Sequence, residues 1–380
     1  MGEIEKIIDK INRSIIGEEE INKVVNILRS GFLSKPAGGP AVREFQSSMA
    51  KIHNKKYAYA TTSGTSSLHL AISALELDKD DEVIVPALAN IADCSAVIQG
   101  GAKLVFADID PETFNIDPED VKKKITPNTK VIIVVHMYGQ PADIEEIQKI
   151  VKKYSLILIE DCAQAGGARY NGRYVGSFGD MSCFSFYQTK HIIVGEGGMV
   201  LTDNIKWFKI IDSLANNGII KDDLDLYDYD RVGFNYQMTE IQAALGVVQL
   251  KKIDKMTETR RQNMKIYKEQ LKDTKIIFQK TKDNTENSYF YLTGILPKDL
   301  AGRRNDFLVR IKNKGVPIKS LYPMALSETK LLKGKSRDDC PVALDITKRL
   351  FNVYVNPGLE KEDIIHFCDI IKNEYNNILK

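Results

Sequence analysis

Residues Cys183 to Val200 read CFSFYQTKHIIVGEGGMV. An apolar run, Met181 to Tyr187, delivers a single Lys190, and a glycine-rich turn from Gly195 to Gly198 follows before the chain turns apolar again. Most lysines of a soluble chain are solvated surface charges. Lys190 instead stands between strand-like segments, where a buried amine tends to lose its proton and become a nucleophile. Upstream, the string LILIEDCAQAGGA holds a second apolar run, Ser155 to Glu160, which ends at Asp161.

An acid closing one strand and a lysine on a later strand are what a pyridoxal phosphate (PLP) site requires. The lysine forms a Schiff base with the cofactor aldehyde, and the carboxylate keeps a proton on the ring nitrogen so that the ring accepts electrons.

The surrounding chain supplies the scaffold. Tyr57 to Thr61 reads as a short strand, and SGTSSLHLAISAL turns directly into a helix whose opening amides face an anion or are simply capped by hydroxyls. From Asp81 onward the strands EVIVP, KLVFAD, KVIIVV and LILIE alternate with helices near Ala89 to Gln99, Pro118 to Lys124 and along PADIEEIQKIVKKY. Continuous apolar strands between amphipathic helices predict a mostly parallel sheet covered on both faces, with ligands beyond the carboxyl ends of the strands. His136, Asp161 and the Thr61 to Ser66 turn fall at that edge.

Further helices are predicted over residues 18–30, stopped by Gly31, from about Ala41, over Ile205 to Asn216, from about Thr239, and over Lys251 to Lys272. GGPAVREFQ is either a helix start or a substrate-lining loop. KDDLDLYDYDRVG reads as a polar, acidic connection. From about Ile276 the elements shorten to those of a small α+β domain, ending in a helix from Glu360 to Ile378. The division expected is a large domain with an N-terminal helical segment over 1–255 and a small one over 256–380.

At 380 residues and 43% hydrophobic content the chain supports a real core. Its 53 basic and 51 acidic residues leave a net charge of +2, too weak a field to argue for nucleic acid. Cys94, Cys162, Cys183, Cys340 and Cys368 are odd in number and lack CxxC spacing, which fits small buried hydrophobes in a reducing compartment. The five histidines form no metal-like pattern, so no metal is expected. MGEIEKIIDK lacks an apolar h-region and no apolar run reaches membrane length, so a soluble cytoplasmic protein is expected.

Taken in order, TTSGTSSLHLAISAL, DEVIVPAL, GAKLVFADIDPETFNIDPE, VHMYGQPADI, IEDCAQAGGARYNGRYVGSFGD, CFSFYQTK, GEGGMVLTDN, NYQMTEIQAALG and NPGLEKEDI resemble the DegT-type aminotransferases over roughly residues 25 to 360. The resemblance implies a fold-type I PLP transferase, an α/β protein with a large sheet domain and a small C-terminal α+β domain, working as a homodimer with shared active sites. It implies that Lys190 is the Schiff-base lysine, that Asp161 partners the pyridinium nitrogen, and that Gln164 lies by the ring and its O3' oxygen. Gly64, Thr65 and Ser66 would hold the phosphate with Ser185, and Asn235 would reach that phosphate from the neighbouring subunit.

The chain departs from the family pattern where Asn90 replaces an aromatic residue that stacks on the ring and where Gly166 replaces a frequent His. Both changes are expected to open the pocket. Leu321 and Ser327 stand where His is common, and Gln237 where Arg or Lys is frequent. His191 is expected to point away from the ring, as adjacent strand side chains do. The activity implied is transfer of an amino group from glutamate or glutamine to a nucleoside-diphosphate-linked 4-keto- or 3-keto-6-deoxysugar, with Arg43, Arg231 and Lys319 among the bases available to a diphosphate. The alternatives are a PLP-dependent sugar dehydratase or isomerase and a non-catalytic, PLP-bound regulatory protein.

Overall fold

The apolar runs become one seven-stranded sheet. The computed structural model describes residues 2–13, 15–36, 38–221, 226–334 and 339–379. Across the sheet the strands run Tyr57–Thr61, Gly198–Thr202, Met181–Ser185, Ile157–Asp161, Thr129–Val135, Glu82–Pro86 and Lys103–Ala107. From Met181–Ser185 to Lys103–Ala107 every pairing is parallel, whereas Gly198–Thr202 runs antiparallel to both of its neighbours. The sheet is therefore mostly parallel, as the alternation of strand and helix predicts.

Strand side chains alternate between two covered faces. Val131, Ile133 and Val135 share a core with residues of the helices Gly64–Ser73, Ile91–Gln99 and Ile205–Ala215. Ile132 and Val134 pack on the other side with Val121, Ile144 and Ile147 of Pro118–Lys124 and Ile144–Tyr154. The helices Pro40–Ile52 and Glu240–Lys251 cover the rest of that second face, against Ala58, Phe184 and Leu201. Each large aliphatic side chain buried this way contributes about 1.5–3 kcal/mol. The five cysteines named above are all buried.

GGPAVREFQ is a helix start. Pro40 opens the helix Pro40–Ile52, and the buried Glu240 carboxylate accepts the amides of Gly39 at 2.9 Å and Ala41 at 2.8 Å. This satisfies donors that the helix cannot satisfy itself. Ala37 of the preceding SKPAGGP loop lies outside the described residues. In the acidic stretch, Ile219–Lys221 pairs antiparallel with the exposed Tyr227–Tyr229, a pairing that the polar composition did not announce. Residues 222–225 between them lie outside the described residues.

The C-terminal region carries an antiparallel sheet of Ile277–Phe278, Leu292–Ile295, Leu350–Val353 and Ile318–Lys319. The helices Ile253–Gln270, Arg304–Lys312 and Lys361–Leu379 pack on it. Ile11 and Ile15, in and just after the helix Glu3–Arg13, belong to that same cluster, so the N-terminal segment ties onto the C-terminal region. No described helix is long and apolar enough to cross a membrane.

Candidate active site

Five chain segments converge where the strands release their carboxyl ends. After Tyr57–Thr61 the chain turns into the helix Gly64–Ser73, with Ser63 as its N-cap. A side chain on Gly64 would meet Ser185 Cβ at 2.7 Å, and one on Gly198 would meet the Ser63 carbonyl oxygen at 2.3 Å. Glycine at both positions lets the helix start close down on the strand ends. The first amides of this helix have no intrahelical acceptor, and its positive end favours an anion.

Together these segments enclose a cavity of 190 Å³ lined by Gly64, Thr65, Asn90, Asp161, Gln164, Ser185 and Lys190, among others. A larger groove of 910 Å³ lies away from these residues, along Pro111, Lys280 and Arg349. It holds none of the chemistry read from the sequence, so the smaller cavity is the candidate site.

Ser66 and Asn235 do not line the cavity. The Ser66 hydroxyl accepts the Ser63 amide at 2.9 Å and donates to the Ser63 carbonyl at 2.8 Å, so it is spent in a capping box. Asn235 is exposed and its backbone bridges to Asn216.

Lys190 lies in the turn after the strand Met181–Ser185, and not on a strand. The cavity reaches its side chain, which is otherwise closely surrounded, and its Nζ sits 4.5 Å from the centroid of the Phe290 ring. Burial brings its amine down to about 8, with Lys319 acting in the same direction and Asp161 and Asp93 opposing. Asp161 closes its strand with 2% exposure, and its Oδ1 accepts the Ala163 amide at 2.8 Å. Burial raises its carboxyl, while the Ala163 amide, Lys190, His136 and Asp93 pull the other way.

Gln164 is fixed from both ends. Its Oε1 accepts the Tyr138 amide at 3.1 Å and its Nε2 donates to the Tyr322 hydroxyl at 2.9 Å. Tyr138 holds a left-handed backbone, φ 56°, which is costly for an aromatic residue and aims its amide at this side chain. Asn90 caps the helix Ile91–Gln99 by accepting the Ala92 amide at 3.0 Å, and its side chain also meets the Tyr322 hydroxyl.

His191 turns away from the cavity, as expected, but through the turn and not through strand alternation: its Nε2 lies 3.1 Å from the Ser288 carbonyl. The expectation that Gly166 opens the pocket is corrected. A Cβ at Gly166 would meet His191 Cβ at 3.0 Å, so the His191 side chain already fills that space. Gln237 donates to Asn216 Oδ1 at 2.8 Å.

Among the described residues, ligand atoms of His136, Glu160 and Cys162 lie within 4.8 Å of one another. Their hydrogen bonds are internal. His136 Nε2 pairs with Glu160, its Nδ1 accepts the Ala142 amide, and Glu160 also accepts the amides of Gly176, Phe178 and Gly179.

Tyr322 and Asp93 were not anticipated. Tyr322 arrives from a loop of the C-terminal region, and no local spacing ties it to a site some 160 residues upstream. Asp93 stands in the first turn of a helix, where an acid ordinarily reads as a complement to the helix dipole.

The donor set fits PLP. It offers an anion-favouring helix start with Thr65 and Ser185 hydroxyls beside it, a buried carboxylate, and an amine of lowered basicity in one cavity.

Comparison with known proteins agrees. The sequence model of the DegT/DnrJ/EryC1/StrS aminotransferase family matches residues 14–372. GDP-perosamine synthase of Vibrio cholerae is 34% identical over 349 residues, 92% of this chain and 94% of that protein. UDP-N-acetyl-3-dehydro-alpha-D-glucosamine 3-aminotransferase of Acidithiobacillus ferrooxidans is 31% identical, covering 87% of each chain. The PLP form of Spr1654 from Streptococcus pneumoniae superimposes with a TM-score of 0.89 at 25% identity, over 96% of this chain and 98% of that one.

Proposed function

The chain belongs to the DegT/DnrJ/EryC1/StrS aminotransferase family, and on that footing we propose that it moves an amino group from glutamate or glutamine to a nucleoside-diphosphate-linked keto sugar, at C-4 or C-3, with its cofactor bonded to Lys190. It is a PLP-dependent sugar aminotransferase of fold type I. The observation that carries the Lys190 part of this reading is that Lys190, Asp161 and the Gly64 helix start line one cavity.

When bound, PLP supplies an aldehyde for the amine and a protonated ring that takes up electrons from the substrate carbon. With its amine near 8, about a tenth of Lys190 is neutral at pH 7, against under about a thousandth of an ordinary lysine, and so it can bond to the aldehyde. Freed from the cofactor, the same Nζ would be placed to take a proton from the amino donor's α-carbon and return it. Asp161 holds the proton at the ring nitrogen. The amides of Gly64 and Thr65 and the hydroxyl of Ser185 hold the phosphate. Gln164, locked by Tyr138 and Tyr322, forms the wall beside the ring.

The nucleotide part of the acceptor rests on the GDP- and UDP-linked sugars named in the two relatives. Of the bases considered for its diphosphate, Arg43 donates to the Gly38 carbonyl and Arg231 pairs with Asp230 and Glu76. Lys319 acts electrostatically on Lys190 and lies 4.5 Å over the Tyr291 ring, so it is the base best placed for the substrate. The test is a panel of nucleotide-linked keto sugars offered to enzyme first loaded with an amino group from glutamate or glutamine. Formation of one amino sugar, with recovery of the cofactor's original absorbance, supports the reading. Reaction with a free keto-inositol but with no nucleotide sugar contradicts the acceptor.

We place the active sites at a homodimer interface, with Asn235 serving the neighbour's phosphate. Asn235 is exposed and lies outside its own cavity, three residues along the chain from the exposed Val232. Mixing Lys190→Ala with Asn235→Ala subunits is expected to restore about a quarter of wild-type activity, because half of the randomly exchanged dimers then carry one intact site of two. Activity no higher than the sum of the two parents contradicts the shared site. The buried, free thiols of Cys94, Cys162, Cys183 and Cys368 support a reducing, cytoplasmic setting.

A further inference from the structure

Behind the Asp161 carboxylate stands a second buried acid. Asp93, in the first turn of the helix Ile91–Gln99, has 0% of its surface exposed. Among the described residues, neither of its carboxyl oxygens receives a hydrogen bond from a donor of another residue, and its own backbone amide is the one donor acting on it. Among the described residues, the side chain in hydrogen-bond contact with it is another carboxyl group, that of Asp161.

Two carboxyl groups in hydrogen-bond contact out of water cannot both ionise, because their repulsion adds to the cost of burying each charge. One retains a proton, and that proton makes the hydrogen bond between them. The surroundings decide which. Asp161 has compensation for a negative charge: its Oδ1 accepts the Ala163 amide, and His136 and Lys190 act on it. Asp93 is faced by Asp161 from the neighbouring strand end, by Lys190 from the turn after Met181–Ser185, by the Cys183 thiol, by the Tyr322 hydroxyl from the C-terminal region, and by Cys94 on its own helix. Lys190 is the one cation in that set. Burial and the Asp161 charge push the Asp93 carboxyl well above the usual carboxylate range.

We propose that Asp93 is a positioning residue: as a neutral carboxylic acid it donates its O–H to the Asp161 carboxylate, which keeps that carboxylate anionic and aimed at the ring nitrogen of the cofactor. The inference rests on the PLP site proposed above. Asp161 then receives two hydrogen bonds from the protein, from the Ala163 amide and the Asp93 hydroxyl, and these fix its rotamer. Both also draw electron density from it, so that a proton shared with the ring nitrogen resides on the ring. A donor with no charge of its own achieves this without placing a second cation beside Lys190.

The test uses holoenzyme reconstituted with PLP labelled with 15N at the ring nitrogen, in wild type and in the Asp93→Asn and Asp93→Ala variants. Wild type is expected to give a pyridinium-type 15N shift. Asp93→Asn keeps an N–H donor in almost the same space and should stay close to it, whereas Asp93→Ala should move toward the pyridine-type value. Should the alanine variant fold poorly, Asp93→Leu fills the same space without a donor and carries the same expectation. An unmoved resonance in the donor-less variants overturns the proposal, as does an asparagine variant displaced as far as alanine. Absence of a pyridinium signal in wild type would instead overturn the Asp161 assignment itself.

A second readout needs no cofactor. A buried acid that keeps its proton in the fold but loses it on unfolding makes stability fall as pH rises above the unfolded carboxyl's value. The melting midpoint of cofactor-free Asp93→Asn should therefore gain on wild type between about pH 5 and about pH 8. Parallel curves across that range would mean that Asp93 does not hold the proton.

Discussion

Replacing Lys190 by alanine is expected to lower turnover by more than about a thousandfold while leaving the fold intact. The loss combines two roles, the covalent hold on the cofactor and proton transfer at the substrate carbon, and the neighbouring Lys319 and His191 are engaged elsewhere. Lys319 lies over the Tyr291 ring, and His191 is turned onto the Ser288 carbonyl. Removing the amine relieves the cost of burying it, which the loss of a cation beside Asp161 and Asp93 offsets, so the variant's melting midpoint should change little. Steady-state kinetics with glutamate and an acceptor sugar, set beside a thermal melt, measure both effects. Turnover within tenfold of wild type would refute the role of Lys190.

Asp161→Ala is expected to keep the cofactor bonded to Lys190 but to lose about a hundredfold or more in kcat, because a ring nitrogen without its proton is a poor electron sink. The effect should fall on kcat more than on KM, since Asp161 faces the cofactor and not the substrate. Asp161→Asn tests the same point with little change of shape, as an amide cannot hold the ring proton by charge. If both variants keep wild-type kcat, the cofactor does not use Asp161.

The sheet was legible because its signal is local and repeated. Runs such as KVIIVV and LILIE carry apolar residues on both faces, and the amphipathic helices between them leave a parallel sheet as the economical arrangement. Lys190 and Asp161 stood out for the same reason, each a charged residue at the end of such a run. What depended on long-range packing was not legible. Gly166 looks like open space in AQAGGA, yet the His191 side chain occupies it. Ser66 looks like a phosphate ligand in SGTSS, yet its hydroxyl is taken by Ser63. Tyr322 reaches the site only because the C-terminal region folds back onto the strand ends. Asp93 is indistinguishable in sequence from an ordinary first-turn acid until Asp161 is seen beside it.

The most direct measurement is borohydride reduction of the PLP-loaded protein, followed by peptide mapping by mass spectrometry. The cofactor mass should be found on the peptide carrying Lys190 and nowhere else, and prior incubation with glutamate or glutamine should prevent the labelling by displacing the lysine. Label on another lysine, or label at Lys190 that neither amino donor removes, would contradict the account.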